Sequence, residues 1–293
     1  MRKWQQDRGL QSRMLLTMVL LAAVYLAFLA FLAYMGTSQS FMILIAGIFI
    51  FAQYFYSDKM VLWSTGAKIV SESEEPELHG IITRLCAVAD IPKPRVAVVN
   101  TSIPNAFATG RNPSHAVVAV TTGLRQRLNQ GELEAVIAHE LSHVKNRDVM
   151  VITIASFLST VAFFLVRNMI FFGGGRRRED SGGAFIAIWV VSLAVYIVSY
   201  LLIQALSRYR EFAADRGSAL ITGQPSLLAS ALLKISGSME RIPKEDLRKV
   251  EGMSAFFIIP AISRSSLMNL FSTHPSVEKR IAALERIEQE MER

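Results

Sequence analysis

Ala138-His139-Glu140-Leu141-Ser142-His143 is the stretch on which the rest of the chain depends. Around it, Leu133, Val136, Ile137, Leu141 and Val144 recur at helical spacing and make one apolar face. His139 and His143 are four apart, so on a helix their rings leave the same side, one turn from each other. Two imidazoles so placed can share one zinc ion. Glu140 then lies beside the metal, where a carboxylate can take a proton from bound water. The plain alternative is a solvated helix that carries two histidines by accident. At average residue usage that happens in on the order of one chain in a hundred of this length. Only 5 histidines occur in the whole sequence, which favours the metal site.

The surrounding composition points to lipid. Of 293 residues, 52% are hydrophobic and 19% charged. A mean hydropathy of +0.34 is too high for an ordinary soluble domain. The net charge is +7, but the basic residues flank apolar runs. That pattern suits lipid headgroups, and no basic patch interleaved with aromatics suggests nucleic acid. Cys86 is the single cysteine, so no intrachain disulfide can form, which fits a reducing compartment. It falls in the apolar helical pattern Ile81–Val88 and is expected in a core.

Working outward, four apolar runs stand out. Met14–Tyr34 carries no charge and is long enough to span a bilayer as an uncleaved anchor. After the turn Gly36–Ser40, Phe41–Tyr56 is the second run, so the two form a hairpin with both ends on one side. The basic residues Arg2, Lys3, Arg8 and Arg13 place that side in the cytoplasm. Val149–Val166 and Ala184–Leu206 are the third and fourth runs. They are joined by a Gly/Arg link over 173–183, whose Arg176, Arg177 and Arg178 would lie outside if both runs cross. Either the positive-inside tendency is overridden there or this hairpin does not fully cross; run length favours crossing. The implied order is a cytoplasmic N-terminus (1–13), a membrane hairpin (14–57), a first catalytic part (58–148), a second hairpin (149–206) and a second catalytic part (207–293). The soluble parts read as α+β. Leu78–Ala89, Arg208–Leu220, Ser226–Ile235 and Pro275–Arg293 have helical patterns, and Arg95–Asn100 and Ala116–Thr122 are short valine-rich strands.

A catalytic zinc takes three protein ligands and a water. The metzincin pattern would need Gly at 146 and His at 149, where this chain has Asn146 and Val149. A carboxylate from a later helix remains, and Glu211 in Glu211-Phe212-Ala213-Ala214-Asp215 is the candidate. Asp215, four residues on, can accept a hydrogen bond from the second ring nitrogen of a ligand histidine. The alternative is that both are surface carboxylates paired with Arg208, Arg210 or Arg216. Geometry constrains the metal reading. His143 precedes the third apolar run and Glu211 follows the fourth, so these two runs must both cross or both stay. Continuous helix from His143 to Val149 would span about 9 Å and put the site at the membrane surface.

The ordered set resembles a known family. H-E-x-x-H followed by E-x-x-x-D is similar to the gluzincin metallopeptidases. The four apolar runs, Pro104-Asn105-Ala106-Phe107-Ala108-Thr109-Gly110, the helix through Ala138–Asp148 and Thr273-His274-Pro275 with Arg280-Ile281 resemble the HtpX-type membrane proteases of family M48. The resemblance covers nearly the whole chain. It implies a mainly α membrane protein whose four transmembrane helices carry a gluzincin-like α+β catalytic domain with a small β-sheet. It further implies a zinc endopeptidase of the cytoplasmic membrane, facing the cytosol and acting on misfolded membrane proteins, often under stress. By position, Asn105 and Ala106 fall on the edge strand that aligns a peptide, against the alternative of a plain turn. His274 falls where an oxyanion-stabilising histidine stands, against the alternative of a helix start with Pro275 at its first position. Arg280 is expected to partner a carboxylate, and His79 and His115 are expected on the surface without a role.

The reaction so implied is peptide-bond hydrolysis with one zinc on His139, His143 and Glu211 and with Glu140 as base. Two rivals remain. A prenyl-protein-processing M48-type protease would have more spans and a larger chamber. A membrane scaffold with structural zinc would not require Glu140. A transporter is disfavoured because the apolar runs hold almost no ionisable residues.

Overall fold

The structure is a computed structural model that describes residues 8–35, 47–48, 51, 55, 58–59, 61–172, 182–239 and 274–293. Most of the second apolar run, the link over 173–181 and the stretch 240–273 lie outside the described residues. The described chain forms two compact units, one containing Phe55–Met150 and the residues from Ser207 onward, the other containing α1 (Arg8–Tyr34) and Val151–Leu206.

In the second unit α1 packs against the apolar parts of α5 (Asp148–Phe172) and α6 (Gly182–Thr222). Leu21 meets Ala155 and Leu206, and Phe28 and Leu32 meet Ala162. Ala155 and Ala162 are seven apart, and small residues at such contacts let helix backbones approach. The Tyr25 hydroxyl donates to the Ala155 carbonyl at 2.5 Å. Leu15, Leu16, Leu26, Ile154 and Ile186 are exposed, an outer surface suited to hydrocarbon rather than water. Among the described residues, α1 and α6 are long and apolar enough to cross a bilayer. The third run is helical within α5.

The first unit is built on a four-stranded sheet. Its strands are β1 (Lys68–Ile69), β2 (Arg95–Val99), β3 (Ala106–Thr109) and β4 (Val117–Thr121), in the order β1-β2-β4-β3. β2 and β4 are parallel, with Ala97 opposite Ala119; β1 and β3 are antiparallel edges. Alternation sorts the side chains. Val96, Val118, Val120 and Ala106 face a core made with α2 (Pro76–Ala89), α4 (Gln130–Lys145) and α7 (Pro225–Met239). Ala97, Val99, Phe107, Val117 and Ala119 face a smaller cluster with Val61. β4 is therefore buried on both faces, which is why it reads as an unbroken apolar run. The short α3 (Thr122–Arg125) follows it, and α8 (Val277–Glu292) closes the chain.

Helix α4 has a full capping box. The Asn129 side chain accepts from the Glu132 N–H and the Glu132 carboxylate accepts from the Asn129 N–H, both at 2.9 Å. Glu132 is also gripped by Ser230 and Lys234 of α7 at 2.7 and 2.6 Å.

Four expectations need correction. The helix does not run on from His143 to Val149, because α4 stops at Lys145. Arg147 takes a left-handed conformation (φ 55°), and α5 starts afresh at Asp148, whose carboxylate suits a helix N-terminus. Arg208–Leu220 is not a separate helix; no proline interrupts the chain there and α6 passes through it. Pro275 is not the first helical residue, since Ser276 caps a helix that starts at Val277. His79 is not a surface residue. It is 9% exposed, with Nε2 at 3.0 Å from the Val70 carbonyl, which anchors α2 to the chain after β1.

Candidate metal centre

Three residues on α6, Glu211, Asp215 and Ser218, lie at i, i+4 and i+7 and so share one face. On α4, Ala135, His139 and His143 lie at i, i+4 and i+8 and also share one face. The two faces meet in reverse order. The Ser218 hydroxyl donates to the Ala135 carbonyl at 2.7 Å, Asp215 Oδ1 lies 3.0 Å from His139 Nδ1, and Glu211 Oε1 lies 3.4 Å from His143 Nε2. The segments of α4 and α6 that carry these residues therefore run antiparallel, and each turn of one matches a turn of the other.

His139, His143 and Glu211 each offer a ligand atom, and the three atoms lie within 4.8 Å of one another. The two Nε2 atoms are 3.1 Å apart, and Glu211 Oε2 is 3.7 Å from His139 Nε2. Each ring has its other nitrogen held by a carboxylate: His139 Nδ1 by Asp215, and His143 Nδ1 by Asp148 at 2.6 Å. A neutral imidazole that donates from Nδ1 carries its lone pair on Nε2. Two such lone pairs and a carboxylate oxygen converge here, a combination that can hold a cation. The donor set of two imidazoles and one carboxylate fits zinc with a coordination position left over.

Burial and neighbouring charges act differently on each of these groups. Burial holds His139 neutral, with its pKa pushed down to about 4 despite the hydrogen bond it donates to Asp215. Burial also works against charge on His143, but Glu211 and Glu140 outweigh it and raise its pKa. Burial likewise penalises the Glu211 carboxylate, yet His274, His143 and Arg280 hold it well below the usual range. Glu140 is 5% exposed. Burial, aided by the charge of Glu211, pushes its carboxyl up to about 7, while the Ala108 N–H of β3 donates to it. A carboxyl poised near neutrality can take and return a proton.

The remaining candidates are placed as follows. Asn105 and Ala106 are buried at the start of β3; the Asn105 N–H donates to Thr121 Oγ1 and its carbonyl accepts from the Thr121 N–H, both at 2.9 Å. His274 is buried, with Nδ1 at 3.0 Å from Glu211 Oε2. Arg280, 1% exposed, forms a two-pronged pair with Asp215 through Nη2 and Nε at 2.5 and 2.9 Å, and its Nη1 is 3.4 Å from Glu211. Glu211 and Asp215 are thus not surface partners of neighbouring arginines: Arg210 pairs with Asp148 and Arg216 with Glu290. Sequence reasoning missed Asp148. It is five residues past His143, which no continuous helix would bring back onto the ring, and only the break at Arg147 does so.

Comparison with known proteins agrees with this geometry. The profile of Peptidase family M48 matches residues 72–288. Protease HtpX homolog 2 of Methanosarcina mazei is 71% identical over 291 residues, 99% of each chain. Protease HtpX homolog of Moorella thermoacetica is 60% identical, over 99% of this chain and 98% of its own. The crystal structure of S. mikatae Ste24p superposes with a TM-score of 0.55, covering 95% of this chain and 66% of that one. Its identity of 16% speaks for the fold alone.

Proposed function

The chain belongs to peptidase family M48 and is a metalloprotease of the HtpX kind, and from that premise we propose that His139, His143 and Glu211 hold one catalytic zinc and that Glu140 is the base of a membrane-anchored endopeptidase. The observation that carries the reading is the convergence of two Nε2 atoms 3.1 Å apart with the Glu211 carboxylate. When bound there, zinc supplies an acidified water and polarises the scissile carbonyl.

The chain's own groups do the rest. Glu140 accepts the proton of the attacking water and passes it to the leaving amine. His274 donates a hydrogen bond to the oxygen of the reacting carbonyl. Asp215 and Asp148 keep the ligand rings in one tautomer. β3 aligns the substrate. Asn105 pairs with Thr121 of β4, and the Ala108 N–H points instead to Glu140. Antiparallel pairing alternates in this way along a strand, so the backbone groups of Ala106 and Ala108 face away from β4. An extended peptide can join this edge through the Ala106 groups and the Ala108 carbonyl, the Ala108 N–H being taken by Glu140, with Asn105 fixing the start of the strand. Backbone pairing reads little sequence, which suits unfolded substrates such as damaged membrane proteins.

The test uses the full chain in detergent with zinc. Glu140→Gln should cleave an unfolded protein at least about a hundredfold more slowly than wild type, with zinc still bound. Equal cleavage removes Glu140 from the mechanism, and no cleavage by either form leaves a scaffold with structural zinc.

A further inference from the structure

Resting on the zinc reading, we propose that Asp148, itself held by Arg210, is the positioning residue for His143 and sets the zinc affinity of the site. Asp148 Oδ2 lies 2.6 Å from His143 Nδ1, while its other oxygen pairs with Arg210. The same guanidinium donates to the Asn146 carbonyl at 2.8 Å, at the C-terminal cap of α4. Asp148 is 6% exposed. One arginine thus ties three things together: the end of the helix that bears both histidines, the first residue of α5, and the position next to Glu211 on α6.

Each contact has a consequence. A carboxylate on Nδ1–H fixes the tautomer that leaves the lone pair on Nε2, and it makes that nitrogen a stronger donor to a metal. Arg210 offsets the charge of a buried carboxylate that would otherwise be costly. It also satisfies a carbonyl that α4 leaves unpaired where the chain breaks. The left-handed turn at Arg147 is what delivers Asp148 to the ring, so the break has a purpose that an uninterrupted helix would not serve. His139 has the corresponding support from Asp215, which Arg280 holds in turn. Both ligand rings are therefore backed by an aspartate, and each aspartate by an arginine.

Zinc alone is the probe, in competition with a chelator of known affinity and with the full chain in detergent. Asp148→Ala should weaken zinc binding by about a hundredfold and Asp148→Asn by about tenfold, the span seen when such partners are removed. Helical content and unfolding temperature without zinc should be retained in Asp148→Asn, which keeps the shape and an acceptor oxygen. Wild-type affinity in both variants overturns the proposal; if Asp148→Ala does not fold, wild-type affinity in Asp148→Asn does so by itself. His139→Ala is the control that separates the two ideas. If it leaves zinc binding intact, the metal site itself is wrong. If it abolishes binding while the Asp148 variants bind normally, only the role of Asp148 falls.

Discussion

Among the described residues Arg280 is the largest of the fully buried side chains, and it sits on the apolar face of α8 between Val277 and Leu284. A cation on such a stripe is stable only against an anion, and Asp215 meets it with two oxygens. Removing one partner strands the other charge, so Arg280→Met should cost about 3–5 kcal/mol, read from the thermal unfolding of the detergent-solubilised chain. Combining it with Asp215→Asn should cost less than the two single losses added, because the stranded charge is then gone. Glu140 gives a second residue-level expectation. Its carboxyl is lifted to about 7 by burial, and a divalent cation beside it pulls the value down. The base works only when ionised, so kcat/KM should fall as pH drops, with an apparent pKa below about 7. A profile flat down to pH 5 would assign proton transfer to another group.

At the scale of elements, the capping box of α4 can be tested apart from the chemistry. Asn129→Ala should cost about 1 kcal/mol, seen as a lower unfolding temperature with zinc affinity unchanged. Glu132 is penalised by burial, but Lys234, Ser230 and the Asn129 N–H more than compensate, and its pKa is lowered. A depressed carboxyl contributes stability above its unfolded value of about 4.3 and loses it as pH falls through the folded value. The stability gap between wild type and Glu132→Gln should therefore be full at pH 7 and shrink below about pH 4. What was legible at this scale followed from periodicity. α2, α4, α7, β2 and β4 all show in the spacing of their apolar residues, and the histidine and carboxylate pairs show as four-residue intervals. β1 is two residues long, too short for any pattern. β3 is four residues between turns, and only its family-like sequence marked it. The break at Asn146-Arg147 carries neither glycine nor proline, so nothing local announces it. Asp148 stayed hidden for that reason.

For the whole molecule, the proposed metal would join distant stretches of one unit. His143 and Glu211 lie on either side of the two apolar segments in sequence, and α8 adds Arg280. A ligand that binds only the folded state stabilises by mass action. Zinc at a hundred times its dissociation constant should add about 2.7 kcal/mol, and a chelator should remove that gain. Calorimetry with and without chelator checks it, and His143→Ala should abolish the difference. A reporter fused at Gly182, where α6 begins, tests the membrane expectation directly. An external signal supports a crossing hairpin, and a cytoplasmic one a hairpin that stays on the inner face.

The antiparallel matching of α4 with α6 has a temporal side. Glu211, the last of the three proposed ligands, is written 68 residues after His143, since 211 − 143 = 68. At about 5–20 residues per second, a ribosome needs several seconds to cover that distance. Throughout that interval the nascent chain carries His139, Glu140 and His143 without the proposed third ligand. On the proposed ligand set, the site can close only after both apolar segments have been made, so translation order would delay activity until the chain is nearly complete.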